Sequence, residues 1–246
     1  MVITNMLTHY LSWHVKNFGD RLNDYIFQGL TPLLFRLPVM KNLPNGTALG
    51  LGTILNHKVL TKCTVLGTGA NGEDVPNINL DYSFVRGRLT AEKVKLSKKY
   101  AVGDTAFGVK GYFESLADTP LYPIGIIPHY RNLSMINDER VIDVTLPCAE
   151  FIRRVSQCKI ILTEAMHGAI LADCLRIPWA PVSIDKKNYP VPHFKWNDFA
   201  SVLDMELEWG DLNSYKLHLS DQFLLEKVSR EVNQRLKDSL PFSDQF

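Results

Sequence analysis

Tyr122-Pro-Ile-Gly-Ile-Ile-Pro-His-Tyr130 is the stretch on which the fold turns. Ile124–Pro128 is short, rich in branched residues and apolar at nearly every position. A half-solvated strand would alternate apolar and polar; a continuous apolar run fits a strand buried on both faces of a parallel sheet. Further along, Val141–Val144 reads as another strand. Cys148, Phe151, Ile152 and Val155 recur at helical spacing, with Pro147 in the first turn, where a missing N–H costs little. Lys159–Leu162 is a buried strand, Gly168–Leu175 a helix stopped before Pro178, and Trp179–Ile184 the next strand. Toward the N-terminus, Ala48–Leu51, Cys63–Leu66 and Tyr82–Val85 are candidate strands, and Leu89–Lys95 a helix. Asp221–Asp238 carries the stripe Leu225, Val228, Val232 and Leu236, with Ser220 or Asp221 as its N-cap.

Apolar strands alternating with amphipathic helices define an α/β protein with parallel sheets. Lys110–Pro123, with Gly111, Asp118, Thr119, Pro120 and Pro123, is the best linker. The expected organisation is a Rossmann-like domain over residues 1–118, a second over 119–220, and a C-terminal helix and tail over 221–246. In such sheets ligands bind beyond the carboxyl ends of the strands.

The 246 residues are 46% hydrophobic and 22% charged, with a formal net charge of +1. This balance argues against a general nucleic-acid or anionic-membrane binder. Cys63, Cys148, Cys158 and Cys174 form no C-x-x-C pair, and no histidine stands at zinc-finger spacing, so no metal site is expected. They read as reduced thiols of a cytoplasmic protein. Trp13, His14 and Lys16 interrupt any signal-peptide core, and no run approaches the ~18 apolar residues of a membrane span. The expectation is a cytoplasmic protein without stable membrane insertion, able to work at the inner membrane's surface.

Five segments carry candidate chemistry. Gly67-Thr-Gly-Ala-Asn-Gly72 matches G-x-G-x-x-G after a strand, but Glu73-Asp-Val-Pro76 follows, where a dinucleotide site needs a helix N-terminus. A glycine-rich loop lining a cleft is the better reading. Arg86-Gly-Arg88 joins a strand to a helix, where a guanidinium fork and helix amides can converge on an anion; the plain alternative is a surface arginine pair. His167 and His129 both follow strands and so belong at the carboxyl edge of the sheet, His167 with helix capping as its plain alternative. Asn17-Phe-Gly-Asp20 reads first as a helix cap.

In order, Asn17-Phe-Gly-Asp20, Gly67-Thr-Gly69, Val85-Arg-Gly-Arg-Leu-Thr-Ala-Glu92, Gly103-Asp104, Gly125-Ile-Ile-Pro-His-Tyr130, Val141-Ile-Asp143, Met166-His-Gly-Ala169 with Ala172-Asp173 and Ile177-Pro178, and Phe194-Lys-Trp-Asn-Asp198 resemble the polysaccharide pyruvyl transferase family, particularly the bacterial exopolysaccharide ketal pyruvyltransferases. The resemblance runs from about Trp13 to Ser201. It implies a GT-B-like pair of Rossmann-like domains with the active site in the interdomain cleft. It implies phosphoenolpyruvate as donor and a sugar hydroxyl of a polysaccharide or lipid-linked oligosaccharide as acceptor, giving a pyruvate ketal and phosphate without metal or cofactor. It implies that Arg86 and His167 line the donor site, and it matches His129 and Lys195 to site segments; since a histidine can exchange a proton near neutral pH, His167 is the candidate base or acid. Some members carry an arginine two residues before the histidine; here Ala165 stands there, and Arg88, Arg131, Lys186 and Lys195 are the candidates for the missing cation. Two other readings remain: a nucleotide-sugar glycosyltransferase of the same architecture, and a non-catalytic carbohydrate-binding relative, which Ala165 favours.

Overall fold

The computed structural model describes residues 7, 9–12, 17–30, 35–37, 45–57, 62–76, 80–185 and 192–240. Lys186 lies outside them. Two parallel sheets organise the chain. The first holds β1 (His9–Leu11), β2 (Phe35–Leu37), β3 (Thr47–Leu49), β4 (Thr64–Leu66) and β5 (Asp81–Phe84), in the order β2-β1-β3-β4-β5. The second holds β6 (Gly125–Ile127), β7 (Ile161–Thr163) and β8 (Trp179–Pro181), in sequence order. Every pairing between these strands is parallel, so each connection must cross over a face of its sheet. Val141, read as the start of a strand, makes a single bridge beside Ile126.

In the first sheet the strand order reverses between β1 and β3, and such switch points open a crevice at the carboxyl ends. After β1 the chain enters α1 (Phe18–Leu30), whose apolar face buries Phe18, Leu22, Ile26 and Phe27. After β3 it runs through Gly50–Thr53, held by a buried amide. Asn23 Nδ2 donates to Leu51 O at 3.1 Å and its Oδ1 accepts Leu51 N–H at 2.9 Å.

The remaining helices are α2 (Arg88–Lys93), α3 (Lys110–Ser115), α4 (Cys148–Ser156), α5 (Met166–Cys174), α6 (His193–Ser201) and α7 (Gln222–Ser239). The stretch expected to be a linker thus begins as helix α3, with Phe113 and Lys110 buried. The irregular, largely exposed part is 116–123. One apolar cluster runs without a break from Tyr10, Phe18 and Phe27 beside the first sheet to Ile127, Phe151, Ile161 and Trp179 beside the second. Phe18 on α1 stacks on Phe151 on α4 at 4.5 Å between ring centroids.

α7 carries its expected stripe, all four residues buried, and Asp221 caps it by accepting Leu224 N–H at 2.8 Å. It packs back on the first half. Ser229 Oγ donates to Phe107 O at 2.8 Å, Asn233 Nδ2 donates to Gly108 O at 2.9 Å, and Glu226 pairs with Lys110 at 2.9 Å. Gly103, at φ +155°, gives the close approach: a Cβ there would lie 3.0 Å from both Val228 and Val232.

Candidate active site

The carboxyl ends of β1, β3, β6 and β7 surround one pocket of about 160 Å³. Asn17–Asp20 come from the loop and first turn after β1, Gly52 and Thr53 from the loop after β3. His129 and Tyr130 follow β6, and Ala165–Gly168 follow β7. Lys195 reaches in from α6. His167, His129 and Lys195, expected together from the sequence, therefore meet in one place.

His167 sits in the first turn of α5, whose N-cap position is Ala165, a residue with no side-chain group to cap the helix. First-turn N–H groups left uncapped carry the partial positive charge that binds anions. The imidazole packs against Gly19 so closely that a Cβ there would lie 2.0 Å from Nδ1. On its other side Nε2 faces the buried carboxylate of Asp104, with Oδ2 at 3.6 Å.

Asn17 and Asp20 close the first turn of α1 reciprocally. Asn17 Oδ1 accepts Asp20 N–H at 3.1 Å, and Asn17 Nδ2 donates to Asp20 Oδ2 at 2.5 Å. The cap read from sequence is thus real, and its carboxyl also lines the pocket. Burial pushes the Asp20 carboxyl up to about 6, against the pull of His167, the Asn17 hydrogen bond and Lys195. Burial holds the Lys195 ammonium down to about 8, with repulsion from Arg86 acting the same way and Asp20 opposing. Burial, then Lys195 and Arg131, bring His129 down to about 4, so its ring is neutral near pH 7.

Glu164 fixes the loops around these groups. Its Oε2 accepts His129 N–H at 3.0 Å and Asn132 Nδ2–H at 2.9 Å, while Oε1 accepts Ile184 N–H at 2.6 Å.

The arginines take different positions. Arg86 is fully buried, and its donors are spent inside the protein. Nε pairs with Asp198 at 2.9 Å, Nη1 donates to Thr53 Oγ1 at 2.8 Å and Gly52 O at 3.3 Å, and Nη2 donates to Ala70 O at 2.8 Å. Asp198 also accepts Thr90 N–H at 2.8 Å, in the first turn of α2. An anion does sit where guanidinium and helix amides converge, but it is the chain's own carboxylate. Arg86 braces Gly52 and Thr53 from behind the pocket wall instead of lining it. Arg88 is exposed and pairs with Asp204 at 2.6 Å, away from the pocket. Arg131 is exposed beside it, its guanidinium 5.6 Å from the Tyr130 ring centroid.

The glycine-rich loop does not line the pocket either. A Cβ at Gly69 would lie 2.2 Å from the Arg86 guanidinium carbon, and one at Gly72 would press on Phe194 at 3.1 Å. These glycines let the loop wrap Arg86 and meet α6, which is why G-x-G-x-x-G occurs without a helix to follow. Three residues were missed as parts of the site: Asp20, read only as a cap, and Asp104 and Glu164, given no role. Asp104 and Glu164 are loop acids whose burial depends on contacts distant in sequence.

Among the described residues no group of three or more His, Cys, Asp or Glu could hold a metal, and no helix is long and apolar enough to cross a membrane.

Comparisons with known proteins take in part of this site. Residues 79–186 match the model of the family described as polysaccharide pyruvyl transferase, a window that takes in β5, His129, Glu164 and His167. The chain is 32% identical over 214 residues to succinoglycan biosynthesis protein ExoV of Rhizobium meliloti (strain 1021), covering 80% of this chain and 65% of that protein. It is 28% identical over 218 residues to uncharacterized protein L143 of Acanthamoeba polyphaga mimivirus, covering 80% of this chain and 75% of that one. The chain thus spans just under two thirds of the succinoglycan protein's length. The strand-end histidines and α5 all fall inside the matched window, so over residues 79–186 the chain is similar to the polysaccharide pyruvyl transferase family.

Proposed function

We propose that this protein transfers the enolpyruvyl group of phosphoenolpyruvate to a sugar hydroxyl in exopolysaccharide synthesis, with closure to a pyruvate ketal and release of phosphate. The observation that carries the reading is the convergence of Lys195, His167, Asp20 and the uncapped N-terminus of α5 on one small pocket at the switch point of the first sheet. At about 160 Å³ it is smaller than the ~300–1,000 Å³ clefts that take drug-sized ligands. That size favours a compact dianion over a nucleotide sugar. The GT-B-like division into domains at 1–118 and 119–220, with α7 of the 221–246 segment packed back on the first and the pocket at the base of an interdomain cleft, belongs to the same proposal.

The donor needs two anions held. Lys195 supplies a full positive charge and the first turn of α5 a partial one, which together take the place of the arginine that Ala165 replaces. Arg131 stands close enough to His129 to serve a ligand extending past the pocket. Arg86 acts indirectly, by holding the Gly52–Thr53 wall and repelling the Lys195 charge.

The reaction needs one acid and one base. Asp20, protonated for part of the time near neutral pH, gives a proton to the donor's methylene carbon, and C2 develops positive charge. The sugar hydroxyl forms a bond to C2 while His167 takes its proton. The C2–O bond to phosphate then breaks, the electron pair leaving with the phosphate. A second hydroxyl closes the ketal, its proton passing to the released phosphate, and the proton on His167 restores Asp20. The acceptor is a saccharide, lipid-linked or polymeric.

The test is a thermal-shift comparison of phosphoenolpyruvate, UDP and GDP, followed by phosphate release with saccharide acceptors. A ligand that binds only the native state raises the melting temperature. Stabilisation by phosphoenolpyruvate alone is the expected result. Stabilisation by a nucleotide alone would replace this reading with the glycosyltransferase one, and donor binding without phosphate release on any acceptor would favour a binding protein.

A further inference from the structure

We infer that Asp104 is the positioning residue of His167: it keeps the hydrogen on Nε2 and so makes Nδ1 the nitrogen that exchanges protons with substrate. The inference rests on the reading of His167 as a proton-transfer group.

Asp104 is fully buried, and its two oxygens have different surroundings. Oδ1 accepts Ala106 N–H at 3.0 Å in the turn Thr105–Val109. Oδ2 has no hydrogen-bond partner, and neither does His167 Nε2; both atoms are buried, and they face each other at 3.6 Å. A buried carboxylate oxygen without a donor is costly, and so is a buried ring nitrogen without a partner. One arrangement relieves both: a hydrogen on Nε2 directed at Oδ2. At 3.6 Å the contact is longer than a hydrogen bond, as catalytic contacts commonly are before ligand binds.

The pairing joins the two halves of the chain. Asp104 is carried by the segment after β5, its backbone set by Gly103 against α7, while His167 is carried by α5 beyond β7. The ring is locked from the opposite side by Gly19, with Nδ1 turned toward the first turn of α1. Asp20, on that turn, lines the pocket and interacts with both His167 and Lys195. The charged groups facing the ring are thus Asp104 behind it and Asp20 before it. Asp104 is shut away from ligand, so its influence passes through the imidazole, whose imidazolium form it also stabilises during proton transfer.

The experiment is nitrogen-15 correlation spectroscopy of the histidine side chains in the ligand-free protein, with His167→Asn identifying the His167 signals. The expected wild-type spectrum has His167 as the Nε2–H tautomer. In Asp104→Asn, whose amide can donate as well as accept, the fraction of Nδ1–H tautomer should rise. Turnover of phosphoenolpyruvate in that variant should fall on the order of 10²-fold or more, with its KM changed less than about threefold. A wild-type Nδ1–H tautomer overturns the inference, and so does an unaltered tautomer in Asp104→Asn. If the variant does not fold, the wild-type tautomer alone decides. The expected tautomers without phosphate release from phosphoenolpyruvate would uphold the pairing and overturn the donor reading, so the two failures are distinguishable.

Discussion

Asp198 on α6 lies 2.9 Å from Arg86 Nε and also accepts the Thr90 amide at the start of α2, both side chains being fully buried. Removing one member of such a pair strands the other charge out of water. Arg86→Ala should therefore cost ~3–5 kcal/mol of stability, read by urea denaturation. Its effect on donor affinity should be secondary, through the loosened Gly52–Thr53 wall. A stable Arg86→Ala protein with abolished donor binding would show that the arginine meets ligand directly.

His167→Asn separates three roles. As a proton-transfer group, its loss should leave the melting temperature and donor affinity nearly unchanged and lower turnover by ~10²–10⁴. A structural role would appear as a lower melting temperature, and a holding role as weaker donor binding. Full activity in a stable variant would exclude the mechanism.

A donor held by Lys195, as proposed, would bind in a pH-dependent way. Burial and Arg86 hold its ammonium down to about 8, so the free protein loses this charge as pH rises through that value. Calorimetric affinity for phosphoenolpyruvate should fall above pH 8, approaching ~10-fold per pH unit if the charge is essential. Lys195→Met should bind weakly at all pH values without that dependence. A wild-type affinity flat from pH 7 to 9.5 would remove the ammonium from the donor site.

Asp20 predicts a conflict between stability and activity. Its carboxyl is raised from the ordinary 3.8 to about 6, so the folded protein keeps a proton that the unfolded chain has lost. This group favours the fold below about pH 4, and that advantage is lost as pH rises through about 6. Above it the buried charge costs ~3 kcal/mol. Asp20→Asn should raise stability at pH 7.5 and depress turnover by at least ~10²-fold. Unchanged turnover would leave Asp20 as a cap alone.

How far these groups could be read from sequence depends on where their partners lie. The runs that became β3, β4, β6, β7 and β8 are visible because strands buried on both faces need no alternation, whereas β5, Asp81–Phe84, is buried only at Phe84. β1, His9-Tyr10-Leu11, is three residues long and mixes polar with apolar, so nothing marks it locally. α6 was seen only as the motif around Lys195, although Trp196, Phe199 and Ala200 repeat at helical spacing and are buried. Arg86 shows the limit most clearly. The sequence reveals a guanidinium beside a helix start, but the carboxylate that meets it is 112 residues away. His167, His129 and Lys195 were readable because two follow strands and the third lies in a recognisable segment. Asp104 and Asp20 acquire their character from burial, which local sequence does not encode.

The return of α7 to the first half has a consequence for biosynthesis. Ser229 on α7 meets Phe107 across a separation of 122 residues, and Gly103 and Gly108 are shaped to receive Val228, Val232 and Leu236. As the chain leaves the ribosome, the surface around Thr105–Val109 lacks the cover of Val228, Val232 and Leu236 until α7 emerges. The N-terminal sheet therefore cannot complete its packing as an independent early unit. Its maturation waits on the synthesis of α7, with part of an apolar face open meanwhile to chaperones or to aggregation.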